Sequence, residues 1–191
     1  MKFKDIQALL VEIGWPIAVD GHIGPITKQA IYDFQQGYTF IELGTDGIAG
    51  PNTHAALLDC ARNADGRPSG MCAEFFSFRE FASKGNGWIR VHPRLLNRLD
   101  AYRRLVGPVR IISGYRDSEH NKRVGGAGNS QHVYGTAVDI QGKMTSGQMK
   151  ELGFSGIGIA PGGLVVHVDV RAEGPNNTTG ASVGNPTMWH Y

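Results

Sequence analysis

A chain of 191 residues is long enough for one domain or two small ones, and 41% hydrophobic residues with a net charge of +2 place it among globular chains, not disordered or fibrous ones. The charge is uneven: residues 1–60 carry three Lys/Arg against seven Asp/Glu, net −4, while residues 61–191 carry sixteen against ten, net +6. No apolar run approaches the roughly 20 residues that span a bilayer, no Lys/Arg cluster is dense enough for nucleic acid, and the mildly basic C-terminal part suits an anionic polymer.

The first residues, Met1-Lys2-Phe3-Lys4-Asp5-Ile6, have no apolar h-region and carry an early acid, so synthesis in the cytoplasm without a signal peptide is expected. Phe3, Ile6, Leu9, Leu10 and Ile13 then recur at helical spacing, and Gly14 stops that helix. An internal repeat follows. Asp20-Gly21-His22-Ile23-Gly24-Pro25-Ile26-Thr27 returns 26 residues later as Asp46-Gly47-Ile48-Ala49-Gly50-Pro51-Asn52-Thr53. Asp-Gly supplies a turn and Pro fixes φ at a helix start, so each copy feeds a helix, over roughly 26–36 and 52–62. Three short helices with paired Asp-Gly-x-x-Gly-Pro-x-Thr turns resemble the peptidoglycan-binding domain of bacterial and phage wall hydrolases. Asp20 and Asp46 read as turn-formers and not as ligand contacts. The expected boundaries are a binding domain at 1–62, a linker at 63–72 and a second domain at 73–191. The linker begins with Asn-Ala-Asp-Gly-Arg-Pro-Ser-Gly, a cluster of loop formers. Cys60 and Cys72 fall in the linker region and read as thiols, not as a disulfide.

Beyond the linker, Pro93 opens a helical run with Leu95, Leu96, Leu99, Tyr102, Leu105 and Val106 on one face, and Gly107-Pro108 ends it. Strands are expected at 109–112, from 137, at 157–159 and at 164–170, with a short helix near 145–152. Long Gly-rich connections separate these pieces, so the expected class is α+β: a three-helix bundle followed by a domain with a central antiparallel sheet.

His132, Asp139 and His167 stand out in this second part. Two His and one carboxylate make up the donor set of a catalytic zinc site with an open fourth position. Gly135 and Ala137 are small and would let backbone pass close to a metal. His167 lies on a strand, where residues two apart share a face, so Asp169 points the same way.

The run Ser113-Gly114-Tyr115-Arg116, His120-Asn121, Val124-Gly125-Gly126-Ala127, Ser130-Gln131-His132-x-x-Gly135-x-Ala137-x-Asp139-Ile140 and Val166-His167-Val168-Asp169-Val170-Arg171 resembles the zinc D-alanyl-D-alanine carboxypeptidase and endopeptidase family. That family includes phage endolysin peptidases and shares its fold with the hedgehog signalling domain. The resemblance implies one Zn2+ held by His132, Asp139 and His167. It also implies that Arg116 grips a substrate carboxylate or the developing oxyanion, a role its permanently charged fork suits. The alternative for Arg116 is an ion pair with Asp117 or Glu119. Ser130 and His120 are further candidates for substrate contact. Many relatives carry Glu, Asp or His shortly before the last zinc His; here Pro161-Gly162-Gly163-Leu164-Val165-Val166 offers nothing that takes a proton. Asp169 is therefore the candidate general base, against a competing role as a carboxylate that orients His167.

The expectation is thus a monomeric, endolysin-like zinc peptidase cutting stem or cross-link peptides of bacterial peptidoglycan. It would be made in a host cytoplasm and reach the wall or periplasm through a holin. A DD-carboxypeptidase and a catalytically inert wall-binding module are the alternatives.

Overall fold

Helical periodicity at the N-terminus produces α1 (Phe3–Ile13), which buries Ile6, Leu9, Leu10 and Ile13 and leaves Phe3 exposed. The computed structural model describes residues 2–62 and 68–191. The two repeats each deliver a helix that begins at its proline, α2 (Pro25–Gly37) and α3 (Pro51–Arg62). What holds the repeats is a buried glutamine in each preceding helix. Gln7 Nε2 donates to Asp20 Oδ1 (2.7 Å) and His22 O (3.1 Å), and Gly21 N donates to Gln7 Oε1. Gln35 does the same one repeat later, donating to Asp46 Oδ1 (2.9 Å), Ile48 O (3.0 Å) and Thr53 Oγ1 (3.1 Å) and accepting from Gly47 N. Asp20 and Asp46 also accept from the backbone N–H two residues on, so both close their turns locally.

Residues 63–67 of the expected linker lie outside the described residues. Its remainder folds straight back: Gly70 N donates to Cys60 O and Phe78 N to Gly70 O. Cys60 and Cys72 are buried, with their thiols donating to Met71 O and Phe76 O.

Helices and sheet share one apolar core. Trp15 packs on Phe34 and Phe78, with ring centroids 6.1 and 4.9 Å away. Gly37 permits this approach, because a Cβ there would lie 2.7 Å from the Phe78 ring and 3.0 Å from Val91. Beside it Asp33, fully buried on α2, accepts from Trp88 Nε1 (2.8 Å) and Arg90 Nε (3.0 Å). A charge in such a place is tolerable only when paired, and its partners come from the other part of the chain.

After α4 (Pro93–Val106) come β1 (Ile111–Ser113), α5 (Ser118–Arg123), β2 (Ala137–Ile140), α6 (Ser146–Glu151), β3 (Gly156–Ile159), β4 (Val165–Asp169) and β5 (Thr187–His190). The sheet runs β1-β2-β4-β3-β5. Its first four strands are antiparallel neighbours, as expected. The last departs from the expectation: β5 lies parallel to β3, which makes the sheet mixed. Neither α5 nor β5 has a marked period in the sequence, and both follow loop formers. Among the described residues no helix is long and apolar enough to cross a membrane.

Candidate metal centre

Three elements bring the metal set together. His132 sits on a short 3-10 turn (Gln131–Tyr134) that ends at Gly135 with φ +71°. A Cβ at Gly135 would approach Arg90 O to 2.8 Å, so this glycine serves a left-handed turn and a close pass of two backbones. Proximity to a metal, the reason expected from the sequence, is not what requires it. Asp139 on β2 stands directly across the ladder from His167 on β4.

The donor atoms converge. His167 Nδ1 is 2.9 Å from Asp139 Oδ1, and His132 Nε2 is 3.2 Å from both Asp139 Oδ1 and His167 Nδ1. All three donors lie within 4.8 Å of one another. The outward nitrogens explain the choice of inward ones. His132 Nδ1 is 2.7 Å from Gly114 O and donates to it; His167 Nε2 is 3.2 Å from Asp169 Oδ2 and donates to that carboxylate. Each ring thus carries its proton on the outside and turns a lone pair inward. Two imidazole nitrogens and one carboxylate oxygen in this arrangement fit zinc with a position left open.

Electrostatics support that fit. In the metal-free chain, where a proton takes the place of the cation, burial by itself would raise the Asp139 carboxyl, but hydrogen bonds from the protonated His132 and His167 rings overcome it and hold the group well below the ordinary carboxylate range. Burial lowers His132. Burial pulls His167 the same way, yet its bonds to Asp139 and Asp169 prevail and raise it. Close-set lone pairs of this kind repel unless a proton or a cation lies among them.

The set opens onto a cavity of about 890 Å³. Arg116 lines it; its guanidinium pairs with Asp139 Oδ2, and its Nε donates to Ser113 Oγ at 3.0 Å. Its ion-pair partner is therefore neither Asp117 nor Glu119. Ser130 also lines the cavity, at the start of the turn that carries His132. His120 does not: it sits on α5 with its backbone N–H on Asp117 Oδ1 and its ring beside Arg123. Asp169 is fully buried behind His167 and off the cavity wall. Both its oxygens are held by Arg171, through Nε at 2.9 and 3.0 Å and Nη2 at 2.6 Å. Among the described residues lining the cavity, the three metal-set residues are the sole carboxylate and imidazole groups.

Arg171, Trp189 and Tyr191 also line the wall. Arg171 had a readable signal, since 167, 169 and 171 alternate along one strand and its continuation. Trp189 and Tyr191 reach the site through the parallel pairing of β5.

Comparison with known proteins agrees with both halves. Residues 2–57 match a putative peptidoglycan binding domain, and residues 72–169 match Peptidase M15. A zinc D-Ala-D-Ala carboxypeptidase of Streptomyces albus G is 32% identical over 139 residues, covering 66% of this chain and 51% of that protein. The chain therefore spans about half the length of this curated relative.

Proposed function

We propose a function from one premise: the chain belongs to the peptidase M15 family. We infer that it is a zinc-dependent peptidase that hydrolyses amide bonds in the peptides of bacterial peptidoglycan, held on that polymer by the helical bundle. The observation that carries this reading is the convergence of His132 Nε2, Asp139 Oδ1 and His167 Nδ1 at the wall of an open cavity. When bound, zinc polarises a carbonyl and makes water a competent nucleophile near neutral pH.

The chain's own residues divide the remaining work. Gly114 O and Asp169 fix the two imidazoles so that no ligand must reorient during reaction. Arg116 presents a fixed charge to the cavity and takes a substrate carboxylate or the oxygen on which charge develops. Ser130 offers a hydroxyl to the peptide backbone. We assign Asp169 to orienting His167, not to accepting a proton, because its oxygens are already bonded and it has no exposed surface. His120 has no part in this scheme.

Packing of a wall-binding bundle on a peptidase favours an endopeptidase, since attachment raises the local concentration of cross-links. We read the enzyme as endolysin-like and monomeric, reaching the wall through a holin. The name of the Streptomyces relative favours a second reading, trimming of terminal D-Ala. Mass analysis of defined muropeptides separates the two: internal cleavage yields two peptide fragments, trimming yields free D-Ala. Chelation should stop either reaction and zinc restore it. Hydrolysis that persists in a His132→Ala protein would refute the metal mechanism.

A further inference from the structure

β5 enters the metal centre through a gap in β3. In the ladder, Gly158 stands between His167 of β4 and Trp189 of β5, and Gly156 stands between Asp169 and Thr187. Neighbouring strands are about 4.8 Å apart, so residues two strands apart normally have a side chain standing between them. Here none intervenes. The rings of His167 and Trp189 meet over Gly158 with centroids 5.0 Å apart and planes inclined at 56°. A Cβ at Gly158 would lie 2.9 Å from Tyr191, 3.0 Å from His167 and 3.1 Å from Trp189. The Asp169 carboxylate fills the equivalent space over Gly156, where a Cβ would overlap it.

Arg171 closes the assembly. Its guanidinium lies over the Trp189 ring, 5.1 Å from the centroid, while its nitrogens hold Asp169. The Asp169 bond to His167 Nε2 sets the direction of the imidazole but leaves it free to rotate about that bond. A packed ring face removes the remaining freedom. Trp189 supplies that face, and Arg171 ties Trp189 and Asp169 into one unit.

We propose that Trp189 is a positioning residue of the metal centre: admitted by Gly158 and fixed by Arg171, its ring holds the His167 imidazole with Nδ1 towards Asp139 Oδ1 and His132 Nε2. This rests on the reading that His132, Asp139 and His167 hold zinc. Outer partners of metal-ligating histidines typically change affinity by about 10- to 100-fold.

The test is zinc affinity of the full chain, measured by competition with a chromophoric chelator, beside the visible spectrum of the Co2+-loaded protein. Trp189→Leu keeps apolar bulk but loses the flat face, and should weaken zinc about tenfold or more. Trp189→Phe keeps a ring and should stay within about threefold of wild type. Met188→Ala, on the exposed side of the same strand, should leave affinity and spectrum unchanged. Gly158→Ala pries the rings apart without removing Trp189 and should weaken zinc in the same direction. Wild-type affinity in Trp189→Leu overturns the proposal, as does an equal loss in Phe and Leu or in Met188→Ala. Should Trp189→Leu not fold, wild-type affinity in Gly158→Ala overturns it by itself. If the wild-type chain binds no zinc, the metal reading falls and this proposal with it; if it binds zinc and the variants match it, only this proposal falls.

Discussion

Replacing Asp169 by Asn keeps the shape of the side chain and an acceptor for His167 Nε2, but removes the charge that Arg171 grips. Burial pushes the Asp169 carboxyl up; the bonds from His167 and Arg171 overcome this and hold it at about 2, below its ordinary 3.8. At 1.36 kcal/mol per pH unit, that difference corresponds to about 2 kcal/mol of stability in the metal-free protein. Because the folded-state value is depressed, the contribution is fully present above about pH 4 and disappears as pH falls through 2. Urea unfolding in chelator should therefore find Asp169→Asn less stable by about 2 kcal/mol at pH 7, with the gap closing under acid. Zinc affinity should fall about tenfold or more, since His167 loses a charged partner, while turnover at saturating zinc stays within about tenfold. The opposite pattern would refute the orienting role. If stability and zinc affinity match wild type while turnover falls by about a thousandfold or more, Asp169 is the proton acceptor.

Other expectations follow from the same geometry. Arg116→Lys keeps charge but loses the fork, so kcat/KM on muropeptides should drop about 100-fold with zinc affinity little changed; undiminished kcat/KM would confine Arg116 to its ion pair with Asp139. Gln35→Ala leaves Gly47 N and the Asp46 turn without their buried partner and should cost about 2–4 kcal/mol in thermal unfolding, with Gln7→Ala similar. A loss below about 0.5 kcal/mol in both would mean that the glutamines do not hold the turns. Asp33→Ala strands Arg90 and Trp88 Nε1 at the junction of bundle and sheet, and should cost about 3 kcal/mol by urea denaturation, discounted for the partial exposure of Arg90. A single cooperative transition in wild type that splits into two in this variant would be the signature of a shared core.

Much of the candidate site was legible because it is composed of residue types that chemistry rarely assembles otherwise. Two His and one Asp, in a motif that resembles the zinc carboxypeptidase and endopeptidase family, gave the candidate donor set before any contact was known. Strand alternation placed Asp169 on the His167 face, but not on which side of the ring. That depended on which His167 nitrogen faces inward, and the answer came from Asp139 on the neighbouring strand and His132 on its turn. His120 fell inside the most informative stretch of sequence and still misses the cavity, because α5 turns its ring towards Arg123. Gln7 and Gln35 carried a faint signal, one buried glutamine before each repeat, but they do not lie at the 26-residue offset of the turns they hold.

The sequence by itself determined the local pieces: the helix α1 with its glycine stop, the two proline-started helices, the turn-forming Asp20 and Asp46, the candidate donor set His132, Asp139 and His167, and the α+β class. Each rests on short-range causes, such as side-chain periodicity, fixed φ at proline, or donor chemistry, and these act within a few residues. Only the tertiary structure decided what depends on strand register and close approach. The parallel pairing of β5 brings Trp189 to His167, and Gly158 on β3 leaves room for it. Gly37 lets Phe78 reach the bundle, and Asp33 finds its cation 57 residues away. Such contacts are set by the absence of a Cβ at one position and the presence of a ring or charge at a distant one. No local pattern records that coincidence until the chain has folded.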